Sequence, residues 1–251
     1  MKSPTITTQE AVESCLPDLL KATHKTLSSA IHKVKYIGPL SQWQDFEEDV
    51  KNNNPKRWTS AVIDYRISNR DLRQEEVYVA DETGVQGRFQ QAVGQVLGAV
   101  FRAEKKNLRF GDFKSAGITY DKTPDIAMVS PGSPVMLRAV GELKVPWVMA
   151  HNLRKRYGAD QELRLALGQV LEYMIDLRLP YGFHSTYEET IFLRHVQVNG
   201  QWRVEYSPVI QSTATDVSLK KCFWHLSSLA LQGNPVQNPA LKDDLVTDEI
   251  L

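Results

Sequence analysis

The stretch 123–147, TPDIAMVSPGSPVMLRAVGELKVPW, constrains the fold of this chain more than any other. Two β-like runs, Thr123–Ser130 and Val135–Trp147, flank the turn-forming SPGSP at 130–134. A tight turn between such runs implies a hairpin. Asp125 stands in the first run. Glu142 and Lys144 stand two apart in the second, so their side chains leave the same face. Pairing of the runs can bring Asp125 beside Glu142. Two neighbouring carboxylates repel each other unless a cation lies between them. All-oxygen ligands suit Mg²⁺ or Mn²⁺, which keep several waters and take phosphate oxygens. A lysine there can orient or help deprotonate an attacking water, or neutralise charge on a pentavalent transition state. The plain alternative is a turn aspartate and a solvated strand face. The apolar neighbours Val140, Leu143 and Val145 speak against it.

The flanking pattern fits a mixed α/β chain. Residues 7–34 read as helical: Thr7 and Glu10 have capping-box spacing, and Ala11, Leu16, Leu19, Leu20, Leu27, Ile31 and Val34 recur at helical intervals, with Pro17 as a break. A short helix is expected around Trp43–Val50, followed by a loop at Asn52-Asn53-Asn54-Pro55. Residues 83–104 form the next helix, with Val85, Phe89, Val93, Val96, Leu97, Val100 and Phe101 as its apolar stripe. Its glycines are unfavourable by propensity and suit close packing on a sheet. A β-like piece is read at Gly117–Tyr120. Residues 160–178 form a long helix, stopped by Pro180. Asn199-Gly200 between Thr190–Val198 and Trp202–Tyr206 signals a hairpin, and residues 216–231 a last helix. This order predicts an α/β sandwich around a central mixed sheet. The division expected is a helical N-terminal extension at 1–60, the main domain at 61–232 and a flexible tail at 233–251.

Residues 124–125 and 142–144, Pro-Asp and Glu-Leu-Lys, resemble the PD…(D/E)xK motif of the restriction-endonuclease-like nuclease superfamily. The resemblance implies an α/β/α sandwich in which Asp125 and Glu142 hold Mg²⁺ and Lys144 assists the water. Gln169 and Tyr173 on the following helix resemble the QxxxY element of the RecB and lambda-exonuclease branches. Glu82, at the start of the preceding helix, is the best match to that family's further acidic ligand. The segment FHSTYEETIFLRHV resembles fungal proteins of this superfamily, many of unknown function. The resemblance spans about Asp81 to Val198 and implies a Mg²⁺- or Mn²⁺-dependent nuclease acting on DNA ahead of RNA. A non-catalytic nucleic-acid- or protein-binding module on the same fold is the alternative.

Two basic groups could serve such a site: Arg154, Lys155 and Arg156, and the cluster Arg102, Lys105, Lys106, Arg109 and Lys114. For either, a solvated surface is the commoner case. The 30 basic and 30 acidic residues cancel, which excludes a protein that coats nucleic acid by bulk charge but not one with a local basic groove. The two cysteines, Cys15 and Cys222, make neither a zinc spacing nor a disulfide framework. His151, His184, His195 and the Cys222/His225 pair read as core residues. With no secretory-type apolar run and no apolar stretch of about 18 residues, the expectation is an intracellular protein, nuclear or cytoplasmic, without a membrane span. A homodimer is compatible with the sequence.

Overall fold

A computed structural model describes residues 5–27, 33–53, 58–64 and 76–248. The hairpin at 123–147 lies inside an eight-stranded mixed sheet. In chain order its strands are β1 (Leu40–Gln42), β2 (Arg109–Gly111), β3 (Ile126–Ser130), β4 (Met136–Leu143), β5 (Tyr181–Ser185), β6 (Glu189–Val198), β7 (Gln201–Tyr206) and β8 (Ile210–Gln211). They are ordered β1-β7-β6-β5-β4-β3-β2, with β8 added to β6. The β4–β5 and β7–β1 pairs are parallel and the rest antiparallel. The β6–β7 hairpin turns at Asn199-Gly200, both with positive φ (51° and 81°), as a tight two-residue hairpin demands.

Helices cover both faces. The helix α1 spans 82–103, with a π-helical segment at Gln90–Gln95 between two α-helical parts. Asp81 caps it by accepting from the Gly84 amide at 2.8 Å. Helices α2 (Asp160–Asp176) and α3 (Leu219–Gln232) complete the framework. Val85, Phe89, Val93 and Leu97 of α1 and Phe223 of α3 pack with Ile126, Met128, Leu143 and Phe183 on one side of the sheet. Leu163, Leu167, Val170 and Met174 of α2 pack with Val140, Ile191, Leu193 and Val204 on the other. Along β4 the alternation is clean: Ala139 and Leu143 join the first core, Val140 the second. Glu142 and Lys144 therefore leave the strand on the α2 side. Among the described residues no helix is long and apolar enough to cross a membrane.

Four local expectations are corrected. The capping box of Thr7 and Glu10 is present, but its helix ends at Glu13 instead of running on towards Val34. Pro17 cannot donate to a helix, and Leu16 and Leu19 enter the core from chain without regular secondary structure. Leu20–Lys21 and Val34–Tyr36 are strands, and Ile31 lies outside the described residues. The second helix is Phe46–Asn52, and the loop residues Asn54 and Pro55 also lie outside. The described part of the first 60 residues is thus not a helical extension: it supplies β1 and buries Ala11, Val12, Trp43 and Phe46 in the main core. Gly117–Tyr120 is irregular, and Arg109–Gly111 is the strand that pairs with β3. The tail is docked, at least to Asp248. Val236, Leu245 and Val246 are buried, and Val246–Asp248 pairs with Val34–Tyr36. Three apolar side chains anchor a segment whose composition is otherwise that of a loop.

Candidate metal centre

The β3–β4 register builds the centre. Ile126 pairs with Gly141, so the next step along the two strands sets Asp125 against Glu142. The Leu143 amide donates to Asp125 Oδ2 at 2.8 Å and fixes that carboxylate. From α1, the Gln86 amide donates to the Asp125 carbonyl at 2.6 Å, bringing the helix start and its first residue, Glu82, to the same strand end. Oxygens of Glu82, Asp125 and Glu142 lie within 4.8 Å of one another. Lys144 prolongs the parallel ladder through its amide, which donates to the Ser185 carbonyl at 2.9 Å. Its Nζ lies 2.5 Å from Glu142 Oε1 and 3.4 Å from Glu82 Oε2. From the facing helix, Gln169 Nε2 donates to the Tyr173 hydroxyl at 2.6 Å. These six residues line one open pocket of about 340 Å³.

Burial sets the electrostatics. Glu142 is 2 % exposed and Lys144 7 %, whereas the Glu82 side chain is 45 % exposed. Burial pushes the Asp125 carboxyl up to about 6, even though the Leu143 amide and Lys144 favour its charged form. Burial, followed by the Asp125 charge, pushes Glu142 up to about 8. Burial alone would lower the Lys144 ammonium. The charge of Glu142 and its hydrogen bond outweigh that, and Lys144 is held above its ordinary value. Contact with Lys144 favours the ionised Glu142, but burial and Asp125 together oppose it more strongly. Glu142 Oε2 is buried with no hydrogen-bond partner. A buried acceptor of that kind fits a cation in the cluster.

The structure brings Glu82, Asp125, Glu142, Lys144, Gln169 and Tyr173 together but leaves out the basic run 154–156. Arg154, Lys155 and Arg156 lie on the short helix Leu153–Tyr157 and do not line this pocket. Lys155 Nζ turns to Met149 Sδ at 3.0 Å, and Arg156 donates to the Glu162 carbonyl at 3.1 Å. The four histidines read as core residues and Cys222 are all buried.

Sequence reasoning missed the wall of the pocket. Glu172 is 5 % exposed and paired with Lys122 and, at 2.8 Å, with Lys242. Lys242 also reaches Asp176 at 2.7 Å, and Asp176 accepts from the Tyr120 hydroxyl at 2.7 Å. The one sequence signal was Glu172 itself, a charge beside Tyr173 on the helix that carries the QxxxY-like pair. No protein-family model, curated protein or solved structure matches the chain. The geometry of the centre therefore carries the functional argument.

Proposed function

We propose that this chain is a Mg²⁺- or Mn²⁺-dependent nuclease, hydrolysing phosphodiester bonds in DNA ahead of RNA, on a restriction-endonuclease-like sandwich of the PD-(D/E)xK kind. One observation carries the reading: three carboxylates converge within 4.8 Å, and the innermost keeps a buried, unpartnered oxygen. Such an all-oxygen set suits a hard divalent cation. When bound, the cation supplies Lewis acidity at a phosphoryl oxygen and a more acidic water. Asp125 and Glu142 hold it from the sheet, and Glu82 closes the set from the solvent side. Lys144 orients the attacking water and offsets the charge that develops on the phosphorus oxygens. Gln169 and Tyr173, on the opposite wall, are placed to touch the substrate phosphate. The mixed sheet with helices on both faces supports the same reading.

A second reading, a binding module without turnover, has its own support. Lys144 already contacts two of the three carboxylates and neutralises part of their charge. One pair of measurements separates the two. Mn²⁺ should raise the melting temperature of the wild-type chain and not of Asp125→Asn, because a ligand that binds only the native state stabilises it. Plasmid and oligonucleotide DNA should be degraded in Mg²⁺ or Mn²⁺ and not in EDTA. A Mn²⁺ shift without degradation of DNA or RNA favours the binding module, and an equal shift in Asp125→Asn removes the metal centre.

A further inference from the structure

The helix that supplies Glu82 continues away from the metal centre with a second row of residues. Glu82, Gln86, Gln90, Gly94, Gly98 and Arg102 are spaced by four along α1. In a regular α-helix such a row drifts by about 40° per step. The wider π-helical segment at Gln90–Gln95 offsets part of that drift. The row beside it, Val85, Phe89, Val93, Leu97 and Phe101, is wholly buried. From Gln90 onward the polar row opens into a groove of about 320 Å³ between α1 and the edge strand β2. Gln90, Gly94, Gln95, Gly98, Arg102 and Arg109 line it, and among the described residues no carboxylate does.

The two glycines differ in a telling way. A Cβ at Gly94 would sit 3.2 Å from Phe110 Cβ and 2.4 Å from Gln90 Oε1, so close approach of β2 accounts for that glycine. A Cβ at Gly98 would meet nothing within 4 Å. Glycine inside a helix is unfavourable, and no packing among the described residues explains this one. Its effect is to leave part of the floor bare in a groove that Arg102 and Arg109 also line. Guanidinium forks and side-chain amides suit phosphate oxygens, and a floor without side chains admits a close-lying backbone. By helix rise the groove begins about 12 Å from Glu82 and reaches Arg102 at about 30 Å, a few nucleotides along a strand. Lys106, from the same basic stretch, takes no part: it is held by Ser227 and Ser228 at 2.8 and 2.7 Å and lies over the Trp224 ring.

We infer that this groove carries the sugar-phosphate backbone of the DNA strand that the metal centre cuts, with Arg102 and Arg109 as its phosphate contacts. The inference rests on the nuclease reading and names where its substrate lies. The test is binding of a fluorescent DNA oligonucleotide, single-stranded and duplex, by anisotropy in Ca²⁺ across a salt series. Arg102→Ala/Arg109→Ala should weaken binding roughly tenfold or more and flatten the duplex log K against log salt slope by roughly 2, one contact per arginine. Gly98→Leu fills the groove without an internal clash and favours the helix, so it should melt no lower than wild type yet bind DNA more weakly. Unchanged affinity and slope in the arginine double variant, or wild-type binding by Gly98→Leu, overturns the groove. The Mn²⁺ shift in melting temperature, read without DNA, should be equal in wild type and groove variants. If it is present while the wild type binds no DNA, the groove falls and the metal centre stands. If it is absent while binding still depends on the arginines, the metal centre falls and the groove stands.

Discussion

On β4, Ala139, Gly141 and Leu143 look one way, while Val140 and Glu142 look the other, with Lys144 following Glu142. The first set meets a tightly packed aromatic core. Phe223 of α3 lies edge-on to Phe183 and Phe192, each at 4.8 Å between ring centres, and Phe89 stacks on Phe183 at 5.6 Å. A Cβ on Gly141 would fall 2.1 Å from the Phe183 ring, so that ring lies directly on the strand backbone. In the second set Val140 joins the core under α2, while Glu142 and Lys144 meet an open pocket in which charges are crowded and one carboxylate oxygen has no partner. One strand thus holds a rigid side and an electrostatically unfavourable side back to back. The packed face resists the repulsion that the charged face creates, as expected where a site is held by rigid elements.

The comparison breaks most visibly in the packed face. Phe223 is fully buried among aromatic rings. Phe223→Ala should cost about 3–5 kcal/mol, of the size found for large core deletions. At about 2–4 °C per kcal/mol for a chain of this length, melting should fall by roughly 10 °C. Thermal unfolding followed by circular dichroism checks this. A loss of only a degree or two would mean that the cluster does not hold the strand.

Lys144→Met does the reverse. It keeps most of the side-chain volume and removes the charge, so the melting temperature should move little. Cleavage should drop about a hundredfold or more, as for acid–base groups acting in the transition state. DNA affinity in Ca²⁺ should fall far less. Single-turnover cleavage beside anisotropy makes the split visible, and cleavage at the wild-type rate by Lys144→Met sinks the catalytic lysine.

The two faces were not equally legible in the sequence. Alternation along 136–144 and the turn at 130–134 are local signals, and they gave both the hairpin and the pairing of Asp125 with Glu142. Gln169 and Tyr173 were legible through their likeness to the QxxxY element, and the spacing of four that defines it brings the two side chains together on one helix face. The first 60 residues misled because apolar spacing of three and four also arises in chain without regular secondary structure that dips into a core. Their strands are two or three residues long, and their partners are remote: Leu20 with Tyr78, Leu40 with Val204, Tyr36 with Val246. Non-local pairing of that kind leaves no periodic trace. Nor does composition distinguish Arg102, which lines an open groove, from Lys106, whose ammonium is held by serines over an indole.

The subtlest consequence of the two environments is their opposite response to pH. Glu142 is pushed up to about 8 by burial. In the unfolded chain a glutamate ionises near 4.3. Between those values the native state holds a proton that the unfolded state has released, so stability falls as pH rises. Lys106, on the other side of the sheet between α1 and α3, is lowered to about 7, chiefly by burial and against the pull of Glu104. There the native state releases its proton first, and stability rises with pH from about 7 towards the ordinary lysine value. The buried histidines His195 and His225, lowered to about 4 by burial, act mainly below their unfolded value near 6.5. A window from pH 6.5 to 8 in metal-free buffer therefore sets Glu142 against Lys106. Relative to wild type, Glu142→Gln should gain melting temperature across this window, on the order of 3 °C. Lys106→Met should lose a comparable amount over the same range. Curves for wild type and Glu142→Gln that stay parallel would show that Glu142 is already ionised at neutral pH, with Lys144 as its sufficient partner. Adding Mn²⁺ should remove the difference in slope, because a bound cation holds Glu142 ionised throughout.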